Sequence, residues 1–255
     1  MRLPGSEKVI VGYDLGNKYA QISCYVTGSE EEIRTLSSVA GSSVYTIPLA
    51  LSKRQGVNQW FYGSEAIRYA GEEEGILVEN LLKLARDGEP VQIDGAPIDP
   101  VALLTLFLKR SLGLLSQVTN TERIGALMIT CEELDHRMLE VLTAATEGLH
   151  LKTDQICFQS HVESFYYYNL YQPEELWRHK TILCEYGDAS IRTYCMECNR
   201  HTTPVVAYME EREFPFPVPE SDEKMQEIAK KLCENQMISS VYLIGEAFSR
   251  DFRFI

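Results

Sequence analysis

Two short stretches hold residue types whose spacing could do chemistry. In Asp14-Leu-Gly-Asn-Lys18 a carboxylate, a glycine, an amide and a lysine follow one another between two runs of alternating apolar residues. Successive backbone N–H groups of a tight turn form a concavity that holds anions without net positive charge. Gly16 and Asn17 suit such a turn, Lys18 adds one point charge, and Asp14 can hold a hydrated Mg²⁺ that neutralises a phosphate. An ordinary Asp-Gly-Asn hairpin tip fits the same residues, and the residues alone leave both readings open. The second stretch is Gly187-Asp188-Ala189, again between two β-type runs. Asp188 brought opposite Asp14 makes sense mainly around a cation, because two carboxylates otherwise repel. A solvated turn with an acidic residue is the plainer alternative.

Other clusters carry less. Cys195-x-x-Cys198 with His201 invites a zinc or redox reading, but residues three apart on a strand point to opposite faces and no second Cys pair follows. Tyr166, Tyr167, Tyr168 and Tyr171 could form an aromatic cage; packing of a helix on the core is the commoner use of such residues.

The elements that must position these residues follow from periodicity. Residues 9–26 alternate with a period of two and read as two strands of a hairpin tipped by Gly16 and Asn17. Short β-rich runs at 46–51 and 59–62 precede a helix from Ser64, and Asp94-Gly95 marks a hairpin turn. Asp99-Pro100 opens the clearest helix, with Leu103, Leu104, Phe107, Leu108, Leu112 and Leu115 on one stripe. Residues 124–130 read as a strand, 135–150 as a helix and 155–158 as a strand, and this β, α, β order implies a partly parallel sheet. A helix carrying residues 165–168, a strand pair at 181–186 and 191–196, and a Pro-rich extended stretch at 214–219 follow. A helix capped by Ser221 and a strand at 241–244 end the pattern.

Composition narrows the classes. With 24 Lys and Arg against 37 Asp and Glu, the net charge of −13 disfavours a broad footprint for nucleic acid or anionic lipid. The most apolar run, residues 101–108, is far shorter than the roughly 20 residues that span a bilayer, so no membrane is expected. The first residues lack the apolar core of a signal peptide, and seven scattered cysteines suit a reducing cytoplasm. The chain stops at Ile255, ten residues after Gly245, which reads as a fragment boundary.

Two strand–turn–strand units with acidic, glycine-bearing tips, separated by βαβ material and followed by a strand ending in glycine, resemble the actin/DnaK/hexokinase superfamily of ATPases. Val11-Gly-Tyr-Asp-Leu-Gly-Asn-Lys-Tyr19 is similar to the first phosphate motif, with Asp14, Gly16 and Tyr19 matching the DnaK-type chaperones. Residues 41–70 resemble the chaperones' small first-lobe subdomain, and Ile129-Thr130 with residues 157–170 follows the first connecting segment. Cys184-Glu-Tyr-Gly-Asp-Ala-Ser190 resembles the second phosphate motif and Val241-Tyr-Leu-Ile-Gly-Glu246 the adenosine motif.

The resemblance implies an actin-like ATPase fold of class α/β, two RNase H-like lobes around a cleft, in a divergent, bacterial DnaK-like protein. The first lobe would span residues 1–150 with a small inserted subdomain at about 30–95; the second, 151–255, would be reduced and incomplete. It further implies a nucleotide site of Gly12, Gly16, Asn17, Lys18, Tyr19, Gly187, Asp188, Ala189, Gly245 and Glu246, with ATP as ligand and Mg²⁺ between Asp14 and Asp188. Hydrolysis needs a group that orients or deprotonates water. Gln159, His161 and Glu163 lie in the connecting segment, and Glu163 with Asp14 is the catalytic assignment.

Departures weaken that site. Glu185 stands where the family has Asp, Ala189 replaces a glycine, and Ser160 falls where the chaperones have Glu. Only about 55 residues separate Gly187 from Gly245, too few for the usual subdomain over the adenine. Glu246 replaces a glycine, and its carboxylate within about 4 Å of a phosphate would cost about 4 kcal/mol at an effective dielectric of roughly 20. The expected protein is a weak Mg·ATP-binding switch with slow or no hydrolysis. The alternative is a degenerate pseudo-ATPase serving as scaffold for a protein partner.

Overall fold

The computed structural model describes residues 8–29, 32–72, 75–118, 123–187, 190–199, 201, 206–215, 227, 230–231, 233–234 and 236–245. The chain divides into two compact units, Met1–His161 and Val162–Ile255. It is a mixed α/β protein with four sheets and five α-helices among the described residues. None of those helices is long and apolar enough to cross a membrane.

In the first unit the period-two alternation of residues 9–26 becomes a hairpin. β1 (Val9–Leu15) buries Val9, Val11, Tyr13 and Leu15 and turns Ile10, Gly12 and Asp14 to the opposite face. β2 (Tyr19–Val26) pairs with it antiparallel, and the Gly16 N–H closes the tip by donating to the Tyr19 carbonyl at 2.9 Å. β3 (Arg34–Thr35) and β4 (Ile47–Pro48) both pair with β2. A small sheet then sets β5 (Leu51–Arg54) between β6 (Trp60–Tyr62) and β7 (Gly75–Val78), with α1 (Gly63–Glu72) joining β6 to β7. The Phe61 and Tyr69 rings stack across it at 3.7 Å. After α2 (Leu81–Asp87), β8 (Val91–Ile93) and β9 (Ala96–Ile98) form a hairpin whose turn residues Asp94 and Gly95 have φ of 52° and 76°. Two positive φ values are what a type I′ turn requires, and Asp-Gly meets them at little cost.

α3 (Pro100–Leu112) starts where its cap dictates, with the Asp99 carboxylate accepting from the Val101 N–H at 2.9 Å. β10 (Ile124–Cys131) joins β1 in parallel; α4 (His136–Glu147), capped by Asp135, leads to β11 (Ile156–Ser160), which is parallel to β10. The sheet order is β11-β10-β1-β2-β3. One core joins the inner residues of β1, β2 and β10 to the stripes of α3 and α4. Inside it the Tyr13 hydroxyl shares a 2.7 Å hydrogen bond with Ser111, and burial holds the phenol above its ordinary pKa.

α5 (His161–Leu170) begins with the last residue of the first unit and continues into the second. There β12 (Lys180–Tyr186), β13 (Ser190–Cys198) and β14 (Val206–Pro215) form an antiparallel meander, and β15 (Ile238–Ile244) pairs with β12 in parallel. The order β14-β13-β12-β15 repeats the connectivity of β3-β2-β1-β10. The tips also match: the Gly187 N–H donates to the Ser190 carbonyl at 3.0 Å. β12 is buried on both faces: Ile182, Cys184 and Tyr186 cluster with Ile191 and Cys195 of β13 on one, and Leu183 with Phe165 of α5 and Tyr194 and Met196 of β13 on the other. β14 was not expected as a strand. Glu210, Glu211, Arg212 and Glu213 interrupt its apolar pattern, the usual dress of a strand at a sheet edge. Of the helix expected after Ser221, the cap and first turn lie outside the described residues, while Glu227, Lys230, Lys231 and Cys233 are helical and Lys231 pairs with Glu227 at 2.7 Å.

Because Phe107 is fully buried between helix and sheet, Phe107→Ala should cost about 3–5 kcal/mol in urea denaturation. Asp99→Ala, which removes only the cap, should cost about 1 kcal/mol.

Candidate functional site

In open α/β sheets, ligand crevices lie beyond the carboxyl ends of the strands where the strand order reverses. In the first unit the chain leaves β1 towards β2 and β3 and returns on the other side at β10, so the reversal falls between β1 and β10. Asp14 is one residue from the end of β1, and the register aligns Gln21, Asp14, Thr130 and Gln159 in one row across β2, β1, β10 and β11. The Asp14 Oδ1 accepts from the Thr130 hydroxyl at 3.3 Å and lies 2.8 Å from His161 Nε2. The ends of β1, β10 and β11 therefore converge on one carboxylate. The side chain of Asp14 is 53% exposed and that of His161 only 16%. Gly12, two residues back on the same face, leaves room beside Asp14; a Cβ there would meet only the Ser23 carbonyl oxygen at 3.9 Å.

The tip itself is tied down. The Gly16 N–H is spent closing the turn, and the Lys18 carbonyl accepts from the Leu49 N–H at 2.6 Å. Asn17 Nδ2 donates to Glu132 just beyond β10 at 3.0 Å. Gly16 therefore serves the turn, contrary to its expected part as an anion donor. The surroundings are acidic. Burial, then Asp14 and Asp135, push the Cys131 thiol up to about 12, with Arg86 opposing and Glu132 adding a smaller rise. Arg86 is in turn paired with Glu133 at 3.3 Å and Asp135 at 2.6 Å. An anion arriving here needs a cation with it. Among the described residues no group of three or more His, Cys, Asp and Glu could hold a metal alone, so a cation would draw on the ligand's oxygens and on water, as Mg²⁺ commonly does.

The second unit carries the counterpart of Asp14 at Glu185, three residues before Asp188. Asp188, Ala189 and Glu246 lie outside the described residues. The matching hairpin registers put Glu185, paired across to Arg192 and Ile244, where Asp14 pairs to Gln21 and Thr130. Glu185 is 3% exposed. Its face of β12 also holds Leu183, packed with Phe165 of α5, whereas the corresponding face of β1 bears the exposed Ile10 and Asp14. The neighbouring Tyr194 phenol is pushed up to about 12 by burial, then by Glu185 and Glu211, with Arg192 opposing. Gly245, at φ 119°, closes the end of β15 against Tyr186: an added Cβ would lie 2.6 Å from the Tyr186 nitrogen and 2.8 Å from its carbonyl carbon.

The remaining candidates separate. Tyr19 opens β2, is 42% exposed and supplies the carbonyl that Gly16 bonds. Glu163 is exposed in the first turn of α5. Cys195 and Cys198 pack into different clusters on opposite faces of β13. Of the aromatic run, only Phe165 is buried; Tyr167, Tyr168 and Tyr171 are exposed, contrary to the expectation of a helix packed through its tyrosines. Thr130 and His161 as partners of Asp14 were missed as a set. Their position after parallel strands was the available signal.

Residues 32–253 match a family described as "Family of unknown function (DUF5716) C-terminal". The chain belongs to that family. The DUF5716 C-terminal span takes in Thr130, His161, Glu185 and Gly245, while β1 and β2 precede it. No curated protein matches the chain.

Gly245→Ala should cost about 3 kcal/mol or more, since backbone overlap and a φ foreign to L-residues coincide. Gly12→Ala should stay within about 0.5 kcal/mol. Denaturant midpoints of the two variants check both.

Proposed function

We propose that the protein binds Mg·ATP weakly, as an actin- and DnaK-like nucleotide switch with slow or no hydrolysis. The observation that carries this is the Asp14 carboxylate at the strand-order reversal, engaged by Thr130 and His161 beside a tight glycine tip. In this reading Asp14 holds hydrated Mg²⁺, and the tip residues Asn17 and Lys18 meet the phosphates, Lys18 through its charge. The repeated strand order of the two units supports two RNase H-like lobes of the actin type. A protein partner in the cytoplasm receives the switch, with no part for nucleic acid or membrane.

A scaffold that has lost nucleotide is the second reading. It is favoured by one observation: Glu185, the counterpart of Asp14, is buried and so poorly placed to meet a hydrated cation.

With a Kd near millimolar, 10 mM Mg·ATP should stabilise the native chain by about 1.4 kcal/mol, a rise in melting temperature of roughly 3–5 °C. Chelating Mg²⁺ or replacing Asp14 with Ala should abolish the rise while the unliganded melting temperature stays within a degree or two. A rise that survives both changes would remove Asp14 from the site. No rise with any nucleotide would leave the scaffold.

A further inference from the structure

Resting on the nucleotide reading above, the geometry points to His161 as the positioning residue of that site: it holds the Asp14 carboxylate in the orientation that accepts hydrated Mg²⁺. Asp14 lies at a strand end with its side chain half exposed, so its carboxylate would otherwise sample several rotamers. β10 lies between β1 and β11 in the sheet, and Ser160 pairs with Cys131 at the end of β11. A side chain starting one residue later must reach past the Thr130 row to touch Asp14. Imidazole is long enough through its far nitrogen, and Nε2 lies 2.8 Å from Oδ1. The Thr130 hydroxyl, at 3.3 Å from the same oxygen, is the longer contact.

Both bonds fall on Oδ1, and a carboxylate has a second oxygen with which to accept from a water of a hydrated cation. Partners of this kind, which orient a metal-binding carboxylate without touching the metal, change metal affinity by about 10–100-fold when removed. The ring of His161 is well covered, so the donor is fixed before any ligand arrives, and the ordering cost is met in folding and not in binding. Glu163, the acidic residue of the same turn, cannot take this part. A carboxylate has no proton to donate to another carboxylate at neutral pH.

The test is a thermal-shift titration of the full chain with Mg·ATP in wild type, Asp14→Ala, His161→Ala, His161→Gln and His161→Asn. Gln places an amide N–H₂ near the reach of Nε2; Asn is too short. His161→Ala and His161→Asn should need about tenfold more Mg·ATP for the same shift, and His161→Gln should return to within about threefold of wild type. A merely structural role would lower the unliganded melting temperature without this rescue by length. If His161→Ala does not fold, the Gln and Asn pair decides alone. Equal responses of Gln and Asn, or a wild-type response in His161→Ala while Asp14→Ala has lost it, overturn the positioning role and leave the nucleotide reading standing. No response in wild type overturns both.

Discussion

β1 hydrogen-bonds antiparallel to β2 along one edge and parallel to β10 along the other, and this mixed pairing governs what its end can do. An antiparallel partner can follow through a short tip, so β2 returns at once. A parallel partner needs a crossover long enough to bring the chain back to the same end of the sheet. The chain between β2 and β10 fills that crossover with the small β5-β6-β7 sheet, a hairpin and α3, whose apolar stripe then covers the inner face. Because β10 and β11 run with β1, their carboxyl ends and the residue that follows gather at the end where Asp14 emerges. Had β10 entered antiparallel, its other end would lie there, and neither Thr130 nor His161 could reach the carboxylate.

The second unit obeys the same pairing rule and reaches a different chemistry. β12 stands between an antiparallel and a parallel neighbour, and its tip closes with the same backbone bond as the first. The difference lies in what covers the face. Phe165 of α5 packs with Leu183, Tyr194 and Met196, and the acidic residue on that face, Glu185, is taken out of water. A buried carboxylate is costly unless partners compensate it, and the cross-strand row through Arg192 provides a cation in register. Asp14 keeps half its surface in solvent. One hairpin plan thus yields an accessible carboxylate and an enclosed one, and a cation-dependent ligand would be served mainly by the first.

What was legible in the sequence was the local order. Alternation marked β1 and β2 because one face of each is buried and the other is not; the Asp99-Pro100 cap marked α3 because capping acts within three residues. Asp94-Gly95 marked its turn for the same reason. The partners of Asp14 were not legible as a set, since Thr130 and His161 lie 116 and 147 residues away and meet it only through sheet register. β14 escaped notice because an edge strand carries charge where an inner strand carries apolar residues. The tyrosines of α5 misled: the helix buries Phe165 and Asn169 and leaves Tyr167 and Tyr168 to solvent.

In the proposed reading a phosphate-bearing ligand and its cation meet at the reversal of strand order beside Asp14. It is tested most directly by amide NMR of the chain with Mn²⁺ replacing Mg²⁺ in the nucleotide complex. The unpaired electrons of Mn²⁺ broaden signals in order of proximity, so location is read without any variant. The signals of Asp14, Gly16, Asn17 and Lys18 should vanish first, followed by those of Thr130 and His161, and an equal concentration of Mn²⁺ without nucleotide should leave them visible. Broadening centred elsewhere, or none at saturating Mn·ATP, would contradict it.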